Sequence, residues 1–204
     1  MADLLVALTG GIATGKTTFR RLLSQKRKFE IFDADQYVHQ LLASDRQIIS
    51  AVAAAFGSGV ISRTGQVDRT ALRHLVFSDA QSRGQLEAIL HPEVRNRWQG
   101  LLAACRNSGQ DFLADIPLLF ETSGQSFFEV SVVVAASSST QRQRLAARGV
   151  DPVTAEVMLA SQWPMVEKLG RASSVVWNDG SLGALARQAD LLLECLPLRQ
   201  PNHR

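Results

Sequence analysis

Cysteine is scarce. The 204-residue chain has only Cys105 and Cys195, and neither sits in a CxxC pair. A disulfide framework or a cysteine-ligated zinc cluster is therefore not expected, and a reducing compartment fits the count. No apolar run approaches the roughly 18 residues needed to cross a bilayer. The first apolar stretch, Leu4 to Leu8, is short, and Met1-Ala2-Asp3 carries no basic segment, so no signal peptide is expected. An excess of one charge sign is nearly absent as well: 22 Lys and Arg stand against 19 Asp and Glu, a net of +3. That excess suits an anionic small ligand and is too small to point to nucleic acid. Internal repeats and low-complexity linkers are missing. A soluble, cytoplasmic protein is the expectation, with neither a membrane nor nucleic acid as a partner. The sequence does not specify an oligomeric state.

What is present is an ordinary globular composition, with 46% hydrophobic residues. At about 150 residues per domain, the length predicts one domain with insertions, or a domain with a small subdomain. Leu4 to Thr9 is continuously apolar and ends in Gly10-Gly11, the pattern of a buried parallel strand. Lys16 to Lys28 follows at helical spacing, with Phe19, Leu22 and Leu23 inward and Arg20, Arg21, Lys26, Arg27 and Lys28 on a solvated face. A short strand at Phe29–Phe32 ends at Asp33. Helical patterns then fill most of 34–109, broken near Gly57-Ser58-Gly59 and Gly65. Further strands are expected at Phe112–Ile116, Val130–Ala136 and Val175–Trp177. Helices are expected over Ser138–Arg148, Pro152 to about Arg171, and Leu182 to about Glu194, before a frayed tail from Pro197 to Arg204. Strands alternating with helices imply a parallel sheet covered on both faces.

The strongest signal is Gly10-Gly11-Ile12-Ala13-Thr14-Gly15-Lys16-Thr17, which fits GxxxxGK(S/T) between a strand and a helix. Such a loop turns successive backbone N–H groups onto phosphates, and glycine permits the close approach. The helix behind it offers its positive end to the anion. Lys16 can reach the β- and γ-phosphates, the Thr17 hydroxyl can ligate Mg²⁺, and Thr18 adds another N–H. The chain has no DxxG and no NKxD segment, which removes a GTP switch. A small-molecule kinase fits the length and the helical insertion, because it needs an acceptor site and a cover that excludes water.

Asp33 and Asp35 stand at the end of the second strand, on the edge where open α/β sheets bind ligands. Asp33 can orient an acceptor hydroxyl, and either aspartate can instead cap the next helix. Asp115 ends the third strand, where its carboxylate can hold a Mg²⁺-bound water or simply face solvent. Gln141, Arg144 and Arg148 share one helix face at i, i+3 and i+7, so the two arginines can neutralise a transferring phosphoryl group or form an exposed basic face.

These residues resemble the dephospho-coenzyme A kinase family. The likeness runs through Ala7-Leu8-Thr9 and the phosphate loop, Asp33-Ala34-Asp35, Asp68-Arg69 with Leu72 and Phe77, and His91-Pro92 with Val94. It continues through Pro117-Leu118-Leu119-Phe120-Glu121, Gln141, Arg144, Arg148, Gln162 and Asn178-Asp179-Gly180-Ser181-Leu182. The resemblance implies a single three-layer α/β P-loop kinase domain over 1–204. It also implies a helical coenzyme-binding subdomain over about 34–110 and a helical lid over about 141–172. The implied reaction is ATP-dependent phosphorylation of the ribose 3′-hydroxyl of dephospho-coenzyme A. ATP and dephospho-coenzyme A are then the partners, with Mg²⁺. The resemblance assigns the acceptor hydroxyl to Asp33, the phosphates to Arg144 and Arg148, and the surroundings of adenine to Asn178. It puts His91 and Leu118 on the acceptor side. Read from the residues alone, His91-Pro92 can also be a helix entry with Pro at the first position. The residues alone leave open another small acceptor, such as a nucleoside or nucleoside monophosphate. The chain departs from the family at Ala13-Thr14, where Gly-Ser is commoner, and at Ser173 and Trp177, where acids are frequent. It departs again at Met158, where an arginine is frequent.

Overall fold

The computed structural model describes residues 4–196, without the side chains of Phe77 and Ser78. The first three residues and the tail expected to fray lie outside that range. Two compact units divide the chain, 1–32 with 102–204 and 33–101.

The first unit holds a five-stranded sheet in the order β2-β3-β1-β4-β5. Its strands are β1 (Leu5–Gly10), β2 (Glu30–Asp33), β3 (Phe112–Asp115), β4 (Val130–Ala135) and β5 (Ser174–Trp177). The pairs β1–β3, β1–β4 and β4–β5 are parallel. All six residues of β1 and all six of β4 are buried, which is why both are apolar apart from Thr9 and Ser131. Helix α1 (Lys16–Lys26) lays Phe19, Leu22 and Leu23 into the same core as Leu8, Val132, Val176 and the inner face of α9 (Leu182–Cys195). Each such buried side chain stabilises by about 1.5–3 kcal/mol relative to exposure. The opposite face of α1 is not merely solvated: Arg20 meets Asp115, Arg27 pairs with Asp111, and Lys26 with Asp190. These partners lie far along the chain, so local charge patterning could not reveal them. The Arg27 guanidinium is held above its ordinary pKa by the bond to Asp111.

The second unit packs α2 (Ala34–Ser44), α3 (Arg46–Phe56), α4 (Arg69–Ser78) and the first part of α5 (Ala80–Ser108) around Leu41, Leu42, Ile48, Val52, Val60, Val67, Leu72 and Leu90. Each helix begins on an aspartate. Asp33 accepts from Gln36 N, Asp45 from Gln47 and Ile48 N, Asp68 from Thr70 and Ala71 N, and Asp79 from Gln81 and Ser82 N. Pro92 is not a helix entry. It lies inside α5, twelve residues past the start. His91 lies beside it in the same helix.

Two boundaries differ from the expectation. The stretch expected as one helix from Pro152 divides into α7 (Pro152–Ala160) and α8 (Met165–Arg171), because Pro164 has no N–H to continue the ladder. Helix α6 (Ser138–Ala146) ends before Arg148. Gly149, at φ 77°, closes it with Gly149 N to the Ala146 carbonyl and Val150 N to the Leu145 carbonyl. At the sheet's edge, Gln188 of α9 bonds both backbone groups of Trp177: its Oε1 accepts from the N–H and its Nε2 donates to the carbonyl, each at 2.9 Å.

Candidate active site

Strands β1 and β3 are neighbours whose chains leave in opposite directions, toward β2 and toward β4. That switch point is where an open α/β sheet has a crevice at its carboxyl edge. Gly10 ends β1 there and Asp115 ends β3, with Leu8 and Asp115 in register.

The loop at 10–17 is tied from outside by its carbonyls. Gln141 Nε2 donates to the Ile12 carbonyl at 2.7 Å. Arg144 Nη1 donates to the carbonyls of Ala13 (3.1 Å) and Thr14 (3.0 Å), and Nη2 to that of Asn178 (2.7 Å). Asn178 Nδ2 adds a second bond to the Thr14 carbonyl at 2.7 Å. In a planar trans peptide the C=O and the following N–H point opposite ways. Fixing those carbonyls outward therefore turns the N–H groups of Ala13 and Gly15 inward. Ala13 takes the left-handed conformation at φ 57°, and Gly15 does so at φ 92°. A Cβ on Gly15 would strike Asn178 Nδ2, and one on Gly10 would strike the Val134 carbonyl. Ala13 also packs with Leu145 and Ala155. The Ala13-Thr14 departure leaves the backbone arrangement in place.

Helix α1 starts on Gly15 with no side-chain cap. Its first N–H groups, those of Lys16, Thr17 and Thr18, carry the helix's partial positive charge. Asp115 is buried rather than solvent-facing, with 2% exposure. It accepts from the Lys16 ammonium and faces Arg20 Nη1 at 3.5 Å. Lys16 is thus held at the loop, and Thr17 is exposed beside it.

The first unit brings together Gly10 to Thr18, Asp115, Gln141, Arg144 and Asn178. Arg148 is exposed beyond the end of α6, so it does not continue the Gln141–Arg144 face. Leu118 belongs to this unit, and its carbonyl accepts from Thr122 Oγ1 at 2.8 Å. Asp33, at the end of β2, opens the second unit, to which Asp35 and His91 also belong. Asp33 is the N-cap of α2, which is the structural use anticipated for it, while Asp35 is exposed in the first turn.

A family model for dephospho-CoA kinases matches residues 4–184. The chain belongs to the dephospho-CoA kinase family. It is 39% identical over 191 residues to the dephospho-CoA kinase of Anaeromyxobacter dehalogenans, covering 93% of this chain and 90% of that one. It is 35% identical over 190 residues to that of Methylococcus capsulatus, covering 93% and 94%. The crystal structure of TT1252 from Thermus thermophilus superposes with a TM-score of 0.77 at 30% identity, covering 96% of this chain and 99% of the other. The fold is that of the P-loop kinases, and the chain is a kinase.

At two of the positions where this chain departs from the common dephospho-CoA kinase pattern, Ser173 and Trp177, the structure supplies local partners. Ser173 and Ser131 exchange hydroxyl and backbone bonds at 3.1–3.2 Å between β5 and β4. Trp177 Nε1 donates to Asp179 Oδ2 at 3.0 Å. Asp179 also accepts from Ser137 N, which holds its carboxyl below the ordinary aspartate range. Four further residues around the loop escaped assignment to the site: Thr9, Glu121, Gln162 and Lys168. Gln162 and Glu121 lie in recognised motifs without a role, and Lys168 carries no local mark at all. It sits beside Glu167 on the short helix α8.

Proposed function

We propose that this chain transfers the γ-phosphoryl group of ATP to the ribose 3′-hydroxyl of dephospho-CoA, giving CoA and ADP, the last step of coenzyme A synthesis. The observation that carries the reading is the uncapped start of α1 behind Gly15, with Lys16 and buried Asp115 beside it, in a dephospho-CoA kinase chain. The loop N–H groups from Gly10, Gly11, Ile12, Ala13, Thr14 and Gly15 to Lys16, Thr17 and Thr18 receive the β- and γ-phosphates. Lys16 moves its charge from Asp115 to the phosphates. The acceptor oxygen bonds to the γ-phosphorus, the bond to the bridging oxygen breaks, and ADP leaves with that electron pair. Asp33 accepts the hydroxyl's hydrogen bond, orients it, and takes the proton late, as the new bond to phosphorus completes. In a loose transition state that orientation matters more than early proton removal.

Arg144 contributes by fixing the loop carbonyls, and Arg148 by bringing a second guanidinium with the lid, residues 141–172. Asn178 serves the nucleotide side by holding Thr14. The helical subdomain, 34–110, receives the acceptor through Asp33, Asp35 and His91, with Leu118 contributing from the loop after β3. The hard oxygens of Thr17 and Asp115 suit Mg²⁺, the first directly and the second through water. That ion, when bound, supplies charge neutralisation on the phosphates. Action in the cytoplasm agrees with the two free thiols, Cys105 and Cys195, and among the described residues no helix is long and apolar enough to cross a membrane.

The test is purified protein with ATP, Mg²⁺ and dephospho-CoA, with ADP release coupled to a readout and the product weighed by mass spectrometry. Adenosine and AMP run beside it as competing acceptors. A gain of one phosphoryl group on dephospho-CoA alone is expected. Transfer to adenosine or AMP instead would overturn the acceptor assignment.

A further inference from the structure

We propose that Lys168 is a positioning residue for phosphoryl transfer, acting on the phosphate loop through a closed circuit of polar contacts. The proposal rests on the reading that this loop holds ATP. Lys168 lies in α8 and is wholly buried. A buried ammonium is tolerated only with good partners. Here Nζ donates to the Pro117 carbonyl at 3.0 Å and pairs with Glu121 Oε1 at 2.8 Å. The Pro117 carbonyl also accepts from Thr9 Oγ1 at 3.0 Å, and Thr9 is the last residue before Gly10. Glu121 Oε1 accepts in turn from Trp163 N at 3.3 Å. The adjoining Gln162 presents Oε1 to Ile12 N at 3.1 Å. The circuit leaves the loop at Thr9 and returns to it at Ile12, with Gly10 and Gly11 between.

Two more observations tighten the link. A Cβ on Gly11 would lie 2.8 Å from Met165 Cε, so the start of α8 packs directly on the loop. Glu121 Oε2 is buried with no hydrogen-bond partner among the described residues. The carboxylate therefore depends on Lys168 for its charge balance. With a neutral residue at 168, Glu121 keeps only the Trp163 contact and an uncompensated buried charge. A carboxylate left uncompensated shifts or takes up a proton, which loosens its hold on Trp163 N and, through the adjoining Gln162, on Ile12. ATP would have to order the loop that Lys168 orders now.

The experiment uses the full chain and three variants, Lys168→Met, Glu121→Gln and Gln162→Ala, with ATP and dephospho-CoA each varied. Each variant is expected to lose about tenfold or more in kcat/KM for ATP, by displacement of the reacting phosphate from its best geometry. KM for dephospho-CoA should stay within about twofold, and the Lys168→Met/Gln162→Ala double variant should fall within about twofold of the weaker single variant, since both cut one circuit. Gln162 is only half-buried, so Gln162→Ala should keep the wild-type melting temperature, a combination a purely structural role would not give. If Lys168→Met does not fold, the other two variants carry the test. The proposal is overturned if Gln162→Ala and Glu121→Gln keep kcat/KM for ATP within about twofold, or if the losses of the pair multiply. Calorimetry of the wild type with ATP separates the two failures: absent binding overturns the nucleotide reading itself, and the circuit with it.

Discussion

The helix behind the phosphate loop begins in the opposite way from the helices of the second unit, although Ser137, Asp151 and Ser181 cap α6, α7 and α9 elsewhere in the first unit. In the second unit α2, α3, α4 and α5 each start on an aspartate that takes up the first N–H groups. In the first, α1 starts on a left-handed glycine with no side-chain cap and no acidic residue in its first turn. A capping carboxylate typically contributes about 1 kcal/mol to a helix. At α1 it would also occupy the donors a phosphate needs and repel the anion. The helix behind the phosphate loop forgoes a cap, while the helices of the second unit use the strongest caps available. The loop's glycines stand apart from those of the second unit as well. Gly10, Gly11 and Gly15 are crowded by named neighbours, whereas Gly57, Gly59 and Gly65 meet nothing within 4 Å.

The largest test of this contrast is Asp33, the one cap given a chemical role. Asparagine caps about as well as aspartate, so Asp33→Asn should keep the melting temperature and ATP affinity while kcat falls about a hundredfold or more. Steady-state kinetics beside a thermal melt decide it, and an unchanged kcat removes Asp33 from the chemistry. Next come the glycines. Gly15→Ala adds left-handed strain of about 1–2 kcal/mol and also pushes Asn178 off Thr14, so KM for ATP should rise about tenfold. Gly65→Ala, at φ 78° in open space, should show a similar strain with unchanged kinetics. Equal effects of the two on KM would mean that the loop's tethers do not matter. Smaller still, Asp45→Ala should lower stability by about 1 kcal/mol in denaturant titrations and leave kcat untouched.

The smallest effect concerns acid. The carboxyl of Asp179 is held below its ordinary range chiefly by Ser137 N. A lowered folded pKa gives stability that is present above the unfolded value and lost as pH falls through the folded one. Asp179→Asn should therefore melt slightly below the wild type at neutral pH, with the difference closing as the pH falls below about 4, so that the variant's acid limb is flatter. A difference that is absent at neutral pH and grows as the pH falls would contradict the sign.

Much of this was legible in the chain itself. The apolar run to Gly10, the glycines and Lys16-Thr17 identify the loop, because each encodes a local backbone demand. The inward stripe Phe19, Leu22 and Leu23 is likewise local. The sequence reading failed where a partner lies far along the chain. Arg20 and Asp115 are 95 positions apart, and Lys168 and Glu121 are 47 apart. No periodicity records such pairs, so Arg20 reads as solvated and nothing singles out Lys168. The break at Pro164 was written in the sequence, and the apolar residues on both sides of it masked the stop. Arg148 fell off its expected face because Gly149, one residue later, closes α6 early.

Gln188 carries a consequence of another kind. Strand β5 is the last in the sheet, and such an edge ordinarily offers its N–H and C=O groups to any extended chain that comes near. At Trp177 a side-chain amide already stands where a sixth strand's peptide would stand, donating and accepting as that peptide would. The exposed Val175 and Trp177 side chains are sticky, but a neighbouring copy cannot extend the ladder through Trp177 without first evicting Gln188. One glutamine in α9 thus works as a stopper against end-to-end sheet growth in crowded solution.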